Sequence, residues 1–395
     1  MIRALGVDVG TSGVRAAIVD ATNTVVAYAA ESFAPEGARN PSAWVDAVEA
    51  AIAGLDLKGV EAVAIDGTSG TLVAIDARGD PLAGGSMYND EAAADDRAEA
   101  ARAAPAHASP TSPLARALGL KRRFRPAKIL HQADFIALRL FGEMFTDENN
   151  ALKTGYDPVA RRWPGFIAAL GLDGLLPDVL PAGALAARRD GRRIVAGTTD
   201  GCAAFLAAGA EQIGDGVTSL GSTIVLKLLV DHPVDDPETG VYSHRIGDLW
   251  LAGGSSNSGG AVLAHYFQSA ELEVLSARID PSRSTGLDYY PLLKTGERFP
   301  VSDPRRAPRL TPRPADDAVF LHGMLEAMSA IEAEGYAKLA ELSGSKLRSL
   351  RAVGGGARNP AWTRLRADRI AAAFLPPLSE HAAAGAALLA LRASA

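Results

Sequence analysis

Short apolar, β-branched runs punctuate the first third of the chain and predict strands at Leu5–Val9, Val14–Val19, Thr24–Ala29, Ala62–Asp66 and Leu72–Ile75. Between the third and fourth runs, Trp44 to Leu55 has the spacing and alanine content of an amphipathic helix. Three strands, a helix and a further strand make a mixed α/β sheet layered with helices. Helical spacing returns from Ala92 to Arg102 and from Ala127 to Phe141, with Pro105, Pro110 and Pro113 marking a loop between them. Leu321, Met324, Leu325, Met328, Ile331, Leu339 and Leu342 then recur as the core stripe of one long helix. The proline-rich stretch from Tyr289 to Pro314 reads as an irregular insertion. A chain of 395 residues suits two domains. The charged segment Arg188 to Arg193, just before the apolar run Ile194-Val195-Ala196, sets the expected boundary, giving domains 1–190 and 191–395.

The first two runs flank Asp8-Val9-Gly10-Thr11-Ser12-Gly13, a β-hairpin whose turn is built from glycine and hydroxyl residues. Glycine lets the backbone approach a phosphate, Thr11 and Ser12 offer hydrogen bonds, and Asp8 suits a hard cation. An ordinary hairpin would carry the same residues. A second copy changes the weight of the pattern: Val217-Thr218-Ser219-Leu220-Gly221-Ser222-Thr223-Ile224-Val225 repeats strand, turn and strand. Gly10, Thr11 and Ser12 match Gly221, Ser222 and Thr223 at one common offset close to half the chain length, which points to a structural duplication. The position matching Asp8 is Ser219, so only the first turn carries a carboxylate.

Forty Lys and Arg against 46 Asp and Glu give a formal net charge of −6, which argues against a general nucleic-acid or anionic-membrane binder. The basic cluster Lys121-Arg122-Arg123-Phe124-Arg125 reads as a solvated surface loop. A single cysteine, Cys202, leaves no internal disulfide framework and suits a reducing compartment. The first strand begins almost at once, and glycines interrupt the uncharged stretch from Leu249 to Ala270. The expectation is a cytoplasmic chain without a targeting or membrane-spanning segment.

Four further segments carry chemistry. Asp66-Gly67-Thr68-Ser69-Gly70-Thr71 ends a predicted strand, where α/β sheets bind substrates; a plain turn is the competing reading. Met87-Tyr88-Asn89-Asp90 offers an amide and a carboxylate to sugar hydroxyls, although Asp90 on its own reads better as an N-cap. Gly197-Thr198-Thr199-Asp200-Gly201 follows a strand and opens an alanine-rich helix, which makes Asp200 a general-base candidate for a hydroxyl attacking phosphorus, or again an N-cap. Near the carboxyl end, Gly354-Gly355-Gly356 lets a flat base or a phosphate lie against the main chain, and Asn359 opens the next helix. There is no Gly-Lys pair for a Walker A loop, no GxGxxG, no HExxH and no GxSxG.

As an ordered set, GVDVGTSGVR, TDENNALKTGYD, GTTDG, TSLGST and VGGGARNP resemble the FGGY carbohydrate kinases, members of the actin, hexokinase and heat-shock chaperone ATPase superfamily, over nearly the whole chain. The short length, DGTSGT and SMYND are similar to the compact branch with D-ribulose kinase or xylulose-kinase-like activity. The resemblance implies two ribonuclease-H-like (actin-like ATPase) domains, each a mixed sheet flanked by helices, around a central cleft, with sugar and metal on the first domain and ATP on the second. It implies Asp8 facing Mg²⁺, and Thr11, Ser12, Gly221, Ser222 and Thr223 holding phosphates. Gly355, Gly356, Asn359 and Trp362 would bound the adenosine, and Asp200 would take the proton from the sugar. Ser12, Gly13, Ser69 and Asp200 would contact an open-chain ketose, with Asp8, Asn89 and Asp90 as further contacts. The acidic groups Asp8 and Asp200 would then stand one per domain, meeting across a shared crevice.

Thr68-Ser69-Gly70 stands where typical xylulokinases carry Met-His-Gly, and the Arg-Glu pair expected of a glycerol kinase is absent. The implied reaction is ATP-dependent phosphorylation of D-ribulose to D-ribulose 5-phosphate, with D-xylulose or another ketose or polyol as the alternative. From a different class, the alternative is an actin- or chaperone-like conformational switch. The partners implied are the sugar and MgATP, in a monomer or homodimer.

Overall fold

The hairpin at the start forms as the pattern predicts, from β1 (Arg3–Val9) and β2 (Gly13–Asp20), in a computed structural model that describes residues 2–393. With β3 (Val25–Ser32), β4 (Val60–Gly67), β9 (Leu185–Arg189) and β10 (Arg192–Val195) it makes a six-stranded sheet ordered β3-β2-β1-β4-β10-β9. The strands β1, β4 and β10 run parallel. Asn40 caps α1 (Pro41–Ala53) by accepting the Ser42 N–H at 3.0 Å, and Trp44, Val48 and Ala51 of that helix pack on Leu5, Val7, Val63 and Ile65.

The opposite face of the sheet is surfaced with alanine. Ala4, Ala62 and Ala64 meet Ala386 and Ala390 of the C-terminal helix α12 (Ala382–Arg392), which also packs on α7 (Asp200–Ala207). Small residues let these backbones almost touch. A Cβ on Gly6 would lie 1.9 Å from the Ala383 carbonyl oxygen, and one on Gly385 would lie 1.8 Å from that of Ala203.

A ribbon of β5 (Leu72–Ile75) and β6 (Lys128–His131) joins this core to a second one. Leu72, Ala74 and Ile129 face a cluster built on α2 (Ala94–Ala103) and α3 (Pro113–Phe124), while Val73, Ile75 and Leu130 face the main core. The helix expected over 127–141 therefore begins as a strand, because alternate side chains there serve two cores, and becomes α4 (Gln132–Phe141) only afterwards. The basic cluster is likewise not a loop: Lys121, Arg122 and Arg123 form the last turn of α3, with Arg122 paired to Asp96 and Glu99. The strand β7 (Thr146–Asp147), helices α5 (Glu148–Thr154) and α6 (Gly165–Ala169), and β8 (Val179–Leu180) complete this part.

A second six-stranded sheet uses β11 (Asp215–Leu220), β12 (Ile224–Val230), β13 (Tyr242–Ile246), β14 (Leu249–Ser256), β15 (Ser349–Val353) and β16 (Ala373–Phe374), ordered β13-β14-β12-β11-β15-β16. The pairing senses of β14-β12-β11-β15-β16 repeat those of β3-β2-β1-β4-β10, so the duplicated hairpin belongs to a duplicated fold. Short helices α8 (Gly260–Tyr266) and α9 (Ser269–Ser276) precede the long α10 (Asp317–Ser343), whose stripe enters the core as expected; α11 (Pro360–Arg369) packs beside it. A buried ion pair links these helices: Arg366 donates to both oxygens of Glu332 at 2.6 and 2.7 Å, and Thr218 of β11 donates to the same carboxylate. The 289–314 insertion is pinned to the end of β14, since the buried Glu297 carboxylate accepts from the Ser256 hydroxyl and the Asn257 N–H, both at 2.7 Å.

The chain divides into one unit up to Ala207 that also takes the segment from His381 on, and a second from Ala208 to Glu380. The division falls later than the expected 190/191 because β10 pairs with β4 and α7 packs against α12, which ties residues 191–207 to the first sheet. Among the described residues no helix is long and apolar enough to cross a membrane.

Alanine is ordinarily favoured over glycine inside a helix by ~1 kcal/mol. At Gly385 the reverse is expected, a loss of about 1–3 kcal/mol for Gly385→Ala from the backbone clash, read as a lower urea midpoint for the first unit.

Candidate functional site

Strands that run in one direction end at one edge, and in the first sheet that edge is acidic. Asp8 and Asp66 stand side by side in the β1–β4 register, and the chain leaving β10 bridges Gly67 through Thr199 before α7 opens with Asp200. Asp66 is fully buried, and neither oxygen of its carboxyl has a hydrogen-bond partner among the described residues. Burial first, then the charge of Asp8, then Asp200 and Asp147 push Asp66 well above the usual carboxylate range. Asp8 is also raised by burial and by Asp200, an effect opposed by Arg15, whose Nη1 lies 3.5 Å from Oδ2. Gly10 is needed for that contact, since a Cβ there would stand 2.9 Å from the same guanidinium nitrogen.

Asp200 is the first residue of α7, one position past that of an N-cap. The N–H groups of Cys202 and Ala203 both donate to the Thr199 carbonyl at 2.9 Å, while the Asp200 carboxylate accepts the Gly201 N–H at 2.7 Å. Asp8 and Asp200 thus belong to one unit, and the expected arrangement of one acidic group per domain is corrected: parallel pairing of β10 with β4 carries Asp200 to the first sheet.

Ser69 sits in the turn that follows Asp66, with Gly70 at φ +81°, and its buried hydroxyl has no partner among the described residues. The turn is held by Gln132, whose Oε1 accepts the Thr68 N–H at 2.9 Å, and by Arg116, which donates to the Gly70 carbonyl at 2.5 Å. Thr11 and Ser12 lie exposed at the tip of the first hairpin, and Gly13 is fixed by the neighbouring strand, where a Cβ would meet the Glu31 carbonyl at 2.2 Å. Asp90 neither caps α2 nor presents a free carboxylate. It accepts two hydrogen bonds from Arg39, at 2.6 and 2.8 Å, and the Met87 N–H at 2.8 Å, and this pairing holds its pKa below the usual range. Asn89 beside it is exposed.

In the second unit the Gly221-Ser222-Thr223 turn lies against the start of α8, with the Gly260 N–H donating to Gly221 at 2.8 Å and the Ala261 N–H to Ser222 at 3.0 Å. Gly354 packs on the same turn, 3.0 Å from the Leu220 carbonyl at its Cβ position, so the ends of β11 and β15 come together as those of β1 and β4 do. Gly355 is open, whereas Gly356 is required by Trp362, whose ring would be 2.4 Å from an added Cβ. Trp362 is 1% exposed and belongs to the core. Asn359 caps α11 through the Trp362 N–H at 3.1 Å and donates to Ser276 at 2.8 Å.

Residues 216–394 match the C-terminal domain of the FGGY family of carbohydrate kinases. That match covers a little under half of the chain. The chain is 25% identical to the xylulose kinase of Escherichia coli strain K12, over 92% of this chain and 84% of that protein. It is 27% identical to the autoinducer-2 kinase of Yersinia pestis strain Pestoides F over 64% of this chain, a match spanning 54% of the relative. The crystal structure of a xylulose kinase from Brucella ovis shares the fold, with a TM-score of 0.87, 24% identity and coverage of 99% and 90% of the two chains. An FGGY kinase is a phosphotransferase that acts on a sugar hydroxyl with ATP, so the conformational-switch alternative is set aside.

Two participants went unassigned in the sequence. Asp66 had a visible signal, since Asp66-Gly67-Thr68-Ser69 nearly repeats Asp8-Val9-Gly10-Thr11-Ser12. Gln132 had none, because nothing local announces that its side chain reaches Thr68.

Burial raises Asp147 to about 6, against the hydrogen bonds it accepts from Asn150 and Asn149. A carboxyl that holds its proton more tightly when folded stabilises most in acid, and that contribution is lost as pH rises from about 4 through about 6. Asp147→Asn is expected to flatten this part of the profile of urea midpoint against pH; an unchanged slope between pH 4 and 6 would show that Asp147 does not titrate there.

Proposed function

We propose that this FGGY kinase transfers the γ-phosphoryl group of ATP to the terminal hydroxyl of a ketopentose, D-ribulose, giving D-ribulose 5-phosphate. The observation that carries the reading is the meeting of Asp8, Asp66 and Asp200 at the ends of parallel strands. Transfer to an alcohol needs an acceptor for the hydroxyl proton, and Asp200, half-buried at the start of α7, supplies a carboxylate. Asp66 is pushed up more strongly than Asp8, so it holds its proton the more tightly of the buried pair.

A hard divalent cation fits beside Asp8, where burial and neighbouring carboxylates disfavour a bare negative charge. Among the described residues no group of three or more ligating side chains is positioned to hold an ion. Mg²⁺ would therefore be shared among Asp8, phosphate oxygens and water, and when bound it neutralises charge on the phosphates. Thr11, Ser12 and the Gly221-Ser222-Thr223 turn supply hydroxyls and N–H groups for phosphates, and Gly355 and Gly356 offer bare backbone to the nucleotide. Ser69, with its unpartnered hydroxyl beside Asp66, is the best placed of the proposed sugar contacts. The Thr68-Ser69-Gly70 turn supports D-ribulose. The likeness to the Escherichia coli xylulose kinase supports D-xylulose as the second reading.

Coupled measurement of ADP release against a panel of ketoses and polyols tests the assignment; the highest kcat/KM is expected with D-ribulose, and a clear preference for D-xylulose or a polyol would replace it. Asp200→Ala is expected to lower kcat by about 10²- to 10⁴-fold with nucleotide affinity within a few-fold. Equal loss of ATP binding and turnover would contradict its role as base. For Asp8→Ala, turnover should fall and not recover at saturating sugar, and full activity at ordinary Mg²⁺ would remove Asp8 from the mechanism.

A further inference from the structure

The segment Thr146 to Asn150 is polar, yet every one of its side chains is almost completely buried. The Asp147 carboxylate caps α5 by accepting the N–H groups of Asn149 and Asn150 at 2.9 and 3.0 Å, and its second oxygen accepts Asn150 Nδ2 at 2.6 Å. Both amide side chains, so oriented, reach one residue. Asn149 Nδ2 donates to the Thr198 hydroxyl at 2.9 Å, and Asn150 Nδ2 to the Thr198 carbonyl at 3.4 Å. Thr198 is itself fully buried and stands two residues before Asp200.

The other side of this turn is held by backbone alone. A Cβ on Gly197 would fall 1.8 Å from the Ile65 carbonyl oxygen, and Thr199 bridges Gly67 in parallel register. Residues 197–199 are therefore clamped between β4 and the first turn of α5. Apolar side chains could fill the same space, but only directional hydrogen bonds fix how the Thr198–Thr199 segment is rotated, and that rotation sets where Asp200 begins. Leaving such groups buried without partners costs stability, so a polar clamp here is costly unless it is complete.

The geometry points to Asn149, Asn150 and Thr198 as positioning residues that aim the Asp200 carboxylate at the sugar hydroxyl. This rests on the reading of Asp200 as base. Misplacement of a reacting group by about 1 Å can cost on the order of 10²-fold in rate.

The test is a double-mutant cycle on the full chain with ATP and the preferred sugar, using Thr198→Val, which keeps shape and removes the hydroxyl, together with Thr198→Ser, Asn149→Ala and Asp200→Ala. Thr198→Val and Asn149→Ala are expected to lower kcat about 10- to 100-fold with KM for sugar and ATP within about two-fold, while Thr198→Ser keeps most of the activity. In the Asp200→Ala background, Thr198→Val should cost nothing further, because its effect passes through the missing carboxylate. Losses that multiply in the double variant, or unchanged kcat in a folded Thr198→Val, would overturn the positioning role. If Asp200→Ala alone keeps full turnover, the base assignment falls and takes this proposal with it, a result distinct from multiplying losses. Should Asn149→Ala fail to fold, the Thr198 pair decides the matter alone.

Discussion

Parallel pairing of β1, β4 and β10 is the constraint on which the first unit depends. Strands of one sense finish at the same edge, so residues 8, 66 and 200, far apart in the chain, are delivered to one place. Like charges brought together away from water raise one another's pKa, and the fold answers by setting Arg15 near Asp8. An apolar strand end would cost less. An acidic edge that gains from a cation or a proton donor is what phosphoryl transfer to an alcohol requires.

One face of the same sheet is sealed closely. Alanines on β1 and β4 and glycines at 6 and 385 let α12 lie almost on the strands and against α7, the helix that carries Asp200 at its start. Side-chain size on that face and the position of Asp200 are thus parts of one packing arrangement. The second unit repeats the strand order with different chemistry. Its turn ends in Gly221-Ser222-Thr223, its counterpart of Asp8 is Ser219, and its central ion pair, Glu332 with Arg366, is buried among helices away from that turn. Duplication preserved the scaffold and left the carboxylates on one copy.

Local pattern reached a long way into this structure. Alternation fixed β1, β2, β4 and β5, a stripe of apolar residues fixed α10, and glycine with small hydroxyls marked both hairpin turns, since each of these depends on neighbours within a few residues. The order of the motifs also carried a resemblance to the FGGY carbohydrate kinases, whose C-terminal domain residues 216–394 match. What it could not decide were contacts between distant segments: that Lys128–His131 would be a strand because it serves two cores, that Arg39 would occupy Asp90, that Trp362 would turn into the core over Gly356, and that Asp200 would join Asp8 in the same unit. Those outcomes rest on which strand lies beside which and how much room remains between backbones, and neither leaves a trace in local periodicity.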